Sequence, residues 1–271
     1  MTDTIIETKD VLKCFGGLTA VDKVSIQVPK NYIYSIIGPN GAGKTTLFNC
    51  ISGFYTPESG EIRYYNLPIQ GLATDMVATI GISRTYQNIR LFGNLTALEN
   101  IMVGQHSRMK SNWVGALLRT PKFNKEDRAC REEAKRLLEF VGLKGCGDYL
   151  ANNLPYGLQR RLEIARALAS NPRVLLLDEP TAGMNPNETL EMMNFIMNLR
   201  EKLDITIILI EHDMRVVMGI SDRISVLDYG HKIAEGTPKE IQSDVKVIEA
   251  YLGPGGPALA EKYQSRRQPH A

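Results

Sequence analysis

Gly38-Pro39-Asn40-Gly41-Ala42-Gly43-Lys44-Thr45-Thr46 is the stretch on which the reading of the whole chain turns. It satisfies G-x-x-x-x-G-K-[ST], the spacing of a phosphate-binding loop. Before it, Tyr32-Ile33-Tyr34-Ser35-Ile36-Ile37 is a short β-branched and aromatic run that predicts a strand; after it, Thr46-Leu47-Phe48-Asn49-Cys50-Ile51 predicts a helix. Strand, loop and helix in that order is the setting the motif needs. Glycines let consecutive N–H groups face one point, and the following helix directs its positive end to the same place. Lys44 would then reach the β- and γ-phosphates of a nucleoside triphosphate, and Thr45 would offer its hydroxyl to Mg2+.

Composition narrows the setting. The 271 residues are 43% hydrophobic, enough for a full core in one or two closely joined domains. A net charge of +2, with Arg266-Arg267 too short to count as a basic run, argues against nucleic acid as a partner. No apolar stretch reaches the length of a membrane span, and Met1-Thr2-Asp3-Thr4 lacks a charged-then-apolar signal pattern. The expectation is a soluble protein on the cytoplasmic side. Cys14, Cys50, Cys130 and Cys146 show no C-x-x-C spacing, so reduced thiols are expected rather than a metal site or disulfides.

Working outward, Ile5 to Val11, Val24 to Val28 and Glu61 to Tyr65 predict strands separated by turn residues, a strand-rich part around the phosphate loop. Phe15 falls in the turn-like Phe15-Gly16-Gly17, where its ring could stack on a base or fill the core. From about residue 95 helix dominates: Ala134, Leu137, Leu138 and Val141 recur at helical spacing with charged residues on the other face, and Gly142 ends the element. Trp113-Val114-Gly115-Ala116-Leu117-Leu118, rimmed by Arg108, Lys110, Arg119, Lys122 and Lys125, suits a membrane-protein partner, lipid headgroups or a tucked-in loop.

The α/β pattern resumes with Val174-Leu175-Leu176-Leu177, an apolar run of the kind buried on both faces of a parallel sheet, ending in Asp178-Glu179-Pro180. Helical sequence from Asn187 to Lys202 leads to a second such run, Ile205 to Ile210, ending in Glu211-His212-Asp213; strand, helix, strand predicts a βαβ unit. Pro238 to Leu252 predicts one helix, and Gly253-Pro254-Gly255-Gly256-Pro257 opens a polar, flexible tail. Ligands of open α/β sheets gather at the carboxyl ends of strands. Asp178 has the position for a carboxylate linked to Mg2+, and Glu179 beside it could take a proton from water attacking the γ-phosphate. His212 ends the next strand.

Together these motifs resemble the ATP-binding subunits of ABC transporters over nearly all of residues 5 to 252. That resemblance implies an ABC-type P-loop NTPase core of class α/β, with an N-terminal antiparallel β part and an inserted helical subdomain. Residues 1–87 would carry the β part and phosphate loop, 88–170 the helical subdomain, 171–252 the rest of the core and 253–271 the tail. It implies that Arg84-Thr85-Tyr86-Gln87-Asn88 supplies Gln87 as the link between Mg2+, water and the membrane partner. Phe15 matches the aromatic that stacks on adenine, and Ala182-Gly183-Met184-Asn185 falls at the dimer-contacting loop. The signature Leu-Ser-Gly-Gly-Gln aligns with Leu154-Pro155-Tyr156-Gly157-Leu158, where only Leu154 and Gly157 match; Pro155 lacks both a hydroxyl and an N–H but can start a helix.

Within the family, the phosphate loop, the Arg-Thr-Tyr-Gln stretch, the Trp113–Pro121 insert and Tyr156 to Arg166 look most like LivG-type subunits of branched-chain amino acid importers. The resemblance implies an ATPase with ATP and Mg2+ as cofactors, Gly38 to Thr46 and Phe15 on the nucleotide, Thr45, Asp178 and Gln87 at the metal, and Glu179, His212 and Gln87 in catalysis. Leu154 to Leu158 would cap the ATP of a second ATP-binding subunit, expected to be a different chain. Permease subunits and, indirectly, a periplasmic or extracellular substrate-binding protein complete the expected partners. The place would be the cytoplasmic face of the cell membrane, peripherally bound. Urea, amides or aromatic acids are alternative substrates, and a non-transport ABC ATPase is the alternative role.

Overall fold

The computed structural model describes residues 3–109 and 120–253. The apolar stretch Trp113 to Leu118 and the tail from residue 254 onward lie outside the described residues. The chain divides into two compact units, one of Met1–Leu72 with Met197–Ala271 and one of Ala73–Ile196.

The first unit holds an antiparallel sheet ordered β2-β1-β4-β5, built from β1 (Thr4–Phe15), β2 (Leu18–Pro29), β4 (Ser59–Tyr64) and β5 (Leu67–Pro68). β1 runs on to Phe15 instead of stopping at Val11. It passes through an irregularity at Asp10, whose φ is 45°, where the ladder to β2 shifts register between Thr8 and Val11. Beside it the buried Thr8 hydroxyl accepts the Ile26 N–H at 3.0 Å and donates to the Val24 carbonyl at 3.0 Å, so the groups on β2 stay paired. The extended strand delivers Phe15 to the turn at Gly16-Gly17.

The phosphate loop grows from the second sheet of this unit. β3 (Ile33–Ile37) runs parallel to β8 (Thr206–Ile210) and β9 (Arg223–Asp228), with β10 (His231–Gly236) antiparallel to β9. Every residue of β3 and β8 is buried, and apart from Ser35 and Thr206 their side chains are aliphatic or aromatic, as suits strands covered on both faces. Ile37, Ile224 and Val226 pack against Val217 of α7 (Met214–Ile220), Ile241 of α8 (Pro238–Ser243) and Val247 of α9 (Val245–Leu252). The single helix expected over Pro238 to Leu252 is therefore two. Asp244 breaks it: its carboxylate accepts the N–H groups of Lys246 at 2.8 Å and Val247 at 3.4 Å and so starts α9, while Thr237 and Glu240 form a capping box on α8.

The second unit contains β6 (Ile82–Arg84) parallel to β7 (Val174–Asp178), with the helices α2 (Thr74–Thr79), α3 (Ala97–Gly104), α4 (Pro121–Phe140) and α5 (Tyr156–Leu168). α6 (Pro186–Leu203) follows β7 in the chain. α4 buries Ala134 and Leu138, Val141 is buried just past it, and Gly142 at φ 80° ends it as its sequence foretold. α3 opens on a capping box of Thr96 and Glu99 and packs on α5. The approach is close at one point: a Cβ at Gly104 would stand 2.1 Å from the Arg166 carbonyl oxygen. Gly104→Ala must push the two helices apart and is expected to cost about 1–3 kcal/mol of stability, as overpacked sites do, readable as a lower urea midpoint.

Candidate nucleotide site

In the first unit the loop after β3 is shaped by glycines with no room for a side chain. Gly38 has φ 149°, and a Cβ there would lie 2.0 Å from the Leu227 carbonyl oxygen; Gly43 has φ 96°, and its Cβ would lie 2.2 Å from that of Ala20. Gly43 stands at the N-terminus of α1 (Lys44–Ile51). The Lys44 ammonium is folded onto the loop, donating to the carbonyls of Gly38 at 2.7 Å and Pro39 at 2.8 Å. Tyr251 on α9 lies near the start of the loop: burial pushes its phenol above the usual range, and the Gly38 main chain acts in the opposite direction.

A cavity of about 360 Å³ opens beside this loop, lined by Phe15, Leu18, Thr19, Ala20, Gly41 to Thr46 and Tyr229. Phe15 is 42% exposed and faces this cavity, so it is not a core residue; Tyr55 holds its ring edge-on at 5.1 Å between centroids. His212, at the end of β8, is an exposed side chain on a buried base. Its N–H donates to the Glu211 carboxylate at 3.1 Å, and Glu211 is fully buried. Asp213 then caps α7 by accepting the Arg215 N–H at 2.9 Å. The histidine therefore stands on a short segment fixed at both ends.

The second unit holds the acids. Burial pushes the Asp178 carboxyl above the ordinary carboxylate range, and Arg84 draws it back: its guanidinium donates to Asp178 Oδ2 at 2.8 Å, with both side chains nearly buried. Glu179, at φ 47°, holds a backbone conformation costly for a non-glycine residue, and its Oε2 accepts from Gln87 Nε2 at 2.9 Å. Gln87 is itself anchored through its main chain. The fully buried Arg160 donates to the carbonyls of Tyr86 at 2.7 Å and Gln87 at 2.8 Å and to Glu163 at 2.8 Å, while Glu163 accepts the N–H groups of Tyr86 and Arg90.

Pro155 occupies the position before α5 and contributes no side-chain cap, so Tyr156, Gly157 and Leu158 form the first turn of the helix. Gln159 Nε2 donates to the Leu154 carbonyl at 2.8 Å. The Tyr156 ring lies 3.7 Å from where a Cβ on Gly183 would be. Asn185 starts α6 reciprocally: its Oδ1 accepts the N–H groups of Asn187 and Glu188, each at 3.0 Å, and its own N–H donates to Glu188 at 2.9 Å.

Two partners here escaped the sequence reading. Arg84 pairs with Leu176 in the β6–β7 register, and Leu176 shares a strand face with Asp178. Arg160 had no sequence signal of its own; its place follows from its burial and its bonds to the main chain of Tyr86 and Gln87. Oxygen donors at Thr45, Asp178 and Gln87 have the chemistry Mg2+ favours. Among the described residues no group of three or more His, Cys, Asp and Glu side chains could hold a metal ion by itself.

The family model described as "ABC transporter" matches residues 21–182. The high-affinity branched-chain amino acid transport ATP-binding protein BraF of Pseudomonas aeruginosa is 47% identical over 253 residues, covering 93% of this chain and 99% of that protein. This chain belongs to the ABC transporter ATP-binding family. A second model, for branched-chain amino acid ATP-binding cassette transporters, matches residues 231–253 of the cassette. LivG of Escherichia coli, also described as a high-affinity branched-chain amino acid transport ATP-binding protein, is 45% identical with the same coverage.

Among solved structures, a nucleotide-free ATP-binding cassette superposes with a TM-score of 0.80 at 34% identity, over 92% of this chain and 98% of that one. The ADP conformation of an ABC transporter cassette gives 0.80 at 35% identity, over 92% and 99%. A dimeric bacterial cassette gives 0.73 at 27% identity, over 86% and 99%. The fold class is thus the ABC-type α/β cassette expected from the motifs. Arg84→Met, which leaves the buried Asp178 carboxylate without its cation, is expected to lower the unfolding free energy by about 3–5 kcal/mol. Adding Asp178→Asn should restore most of that loss in urea unfolding of the single and double variants.

Proposed function

We propose that this cassette hydrolyses ATP to power an importer of branched-chain amino acids. The observation that carries the substrate class is the 45–47% identity, over nearly the whole length of both partners, to ATP-binding proteins of high-affinity branched-chain amino acid transport. No helix among the described residues is long and apolar enough to cross a membrane. The cassette would sit on the cytoplasmic face of the membrane, against permease subunits that form the path, with a substrate-binding protein delivering the amino acid from outside.

The chemistry follows from the site. Backbone N–H groups of Gly41 to Thr46 and the Lys44 ammonium would hold the phosphates, Lys44 leaving the Gly38 and Pro39 carbonyls to do so. Thr45, Asp178 and Gln87 would hold Mg2+, which supplies charge neutralisation on the phosphates when bound. Glu179 would accept the proton of the attacking water, held in place by the Gln87 amide, and His212 and Gln87 would respond to the γ-phosphate. Most of the acceleration in such a reaction comes from positioning and charge.

Leu154, Pro155, Tyr156, Gly157 and Leu158 would cap nucleotide held by a second cassette. Pro155 offers that nucleotide no hydroxyl, so pairing with a different cassette that bears a fuller signature would give this chain the better capped site. Glu179→Gln is expected to keep ATP binding and to reduce steady-state phosphate release in the assembled complex at least about a hundredfold, and by more than the matching change in the partner cassette. Undiminished turnover would reject Glu179 as the base, and equal losses would reject the asymmetry.

A further inference from the structure

The β9–β10 hairpin turns on Tyr229 and Gly230, with φ of 43° and 82°, and His231 pairs directly with Asp228. Two central residues with positive φ make the tight turn that suits a twisted hairpin, and it normally takes asparagine or aspartate followed by glycine. Tyrosine there is strained, and strain of this kind is retained where it serves a purpose. At 84% exposure the Tyr229 ring is also the most exposed large hydrophobic side chain among the described residues. The turn is not loose. The Gly230 N–H donates to the Ala42 carbonyl at 3.2 Å, and the Gly230 carbonyl accepts the Asp22 N–H at 2.8 Å. The Gly230 Cα lies 3.5 Å from where a Cβ on Gly43 would be. The hairpin is thus bonded to the phosphate loop, and its exposed ring lines the same cavity as Phe15, Leu18 and Gly41 to Thr46.

That lining is divided in kind. Main-chain amides and the Lys44 ammonium suit phosphates, whereas Phe15, Leu18 and Tyr229 offer apolar surface that suits the nucleoside. We propose that Tyr229 is a nucleoside-contacting residue, a second aromatic wall of the nucleotide pocket beside Phe15; this rests on the reading of the cavity as the ATP site. The strained turn holds the ring at the cavity, and its bonds to Ala42 and Asp22 keep it in step with the loop that grips the phosphates.

The test compares a ligand that has a nucleoside with one that lacks it, on the purified full chain. Tyr229→Asn keeps a residue that tolerates the turn and removes the ring. It is expected to weaken ATP binding about tenfold, to leave binding of inorganic tripolyphosphate within about twofold, and to hold or raise the melting temperature. Tyr229→Phe should bind ATP as the parent chain does. Equal losses for ATP and tripolyphosphate would make Tyr229 a support of the phosphate loop and overturn the proposal, as would unchanged ATP affinity in Tyr229→Asn. A parent chain that binds tripolyphosphate but not ATP, or neither, would overturn the nucleotide reading of the cavity itself.

Discussion

A backbone can wrap a phosphate only where it turns through conformations and contacts that leave no space for side chains. Gly38 and Gly43 impose that condition here, since a Cβ at either would collide with a main-chain oxygen of β9 or β2. The loop is in this way cast against two other strands of its own unit. β3 and β8 are buried along their whole length so that the strand ends stay fixed beneath the loop and beneath His212. α7, α8 and α9 cover the sheet, and Tyr251 brings the last helix near the start of the loop. Very little of this unit is independent of where the loop has to be.

The acidic unit is organised by a different constraint, the cost of burying charge. Asp178 and Arg84 are nearly inaccessible and pair with one another; Arg160 and Glu163 are buried too and bond the main chain of Tyr86 to Arg90, with Arg160 also donating to the Tyr156 hydroxyl. Buried ion pairs of this kind add little net stability, because desolvation offsets attraction, but they tolerate few alternative arrangements. Their effect is to fix Gln87, whose side chain in turn holds Glu179. Through Arg160 the start of α5 and the Gln87 segment are parts of one rigid arrangement, and Tyr156 extends it to Gly183. A displacement at the start of α5 would therefore be felt at Gln87 and Glu179.

Much of this was legible in the residues alone because it is local. A phosphate loop is a contiguous pattern, and strands buried on both faces announce themselves as Val174 to Leu177 and Ile205 to Ile210. What was not legible depends on register or on distant surroundings. The Arg84–Asp178 pair exists only because β6 and β7 align as they do. The residues alone leave Phe15 as core or stacking ring, and its exposure beside the cavity removes the first of these. The break at Asp244 depends on its carboxylate reaching the N–H groups of Lys246 and Val247, a contact that a helical reading of Pro238 to Leu252 does not contain. Tyr229 gave no signal at all, since a tyrosine before a glycine does not advertise a left-handed turn.

On the proposed reading the nucleotide held by this chain is capped by another cassette, in keeping with the dimeric relative of the same fold. The most direct measurement is phosphate release per chain as the isolated protein, and then the protein with its partner cassette and permease, is diluted across its association range. Specific activity should rise steeply with concentration and be highest in the assembled transporter. A constant rate per chain at every dilution, unaffected by partner, would mean that one chain is a complete ATPase and would contradict the shared site.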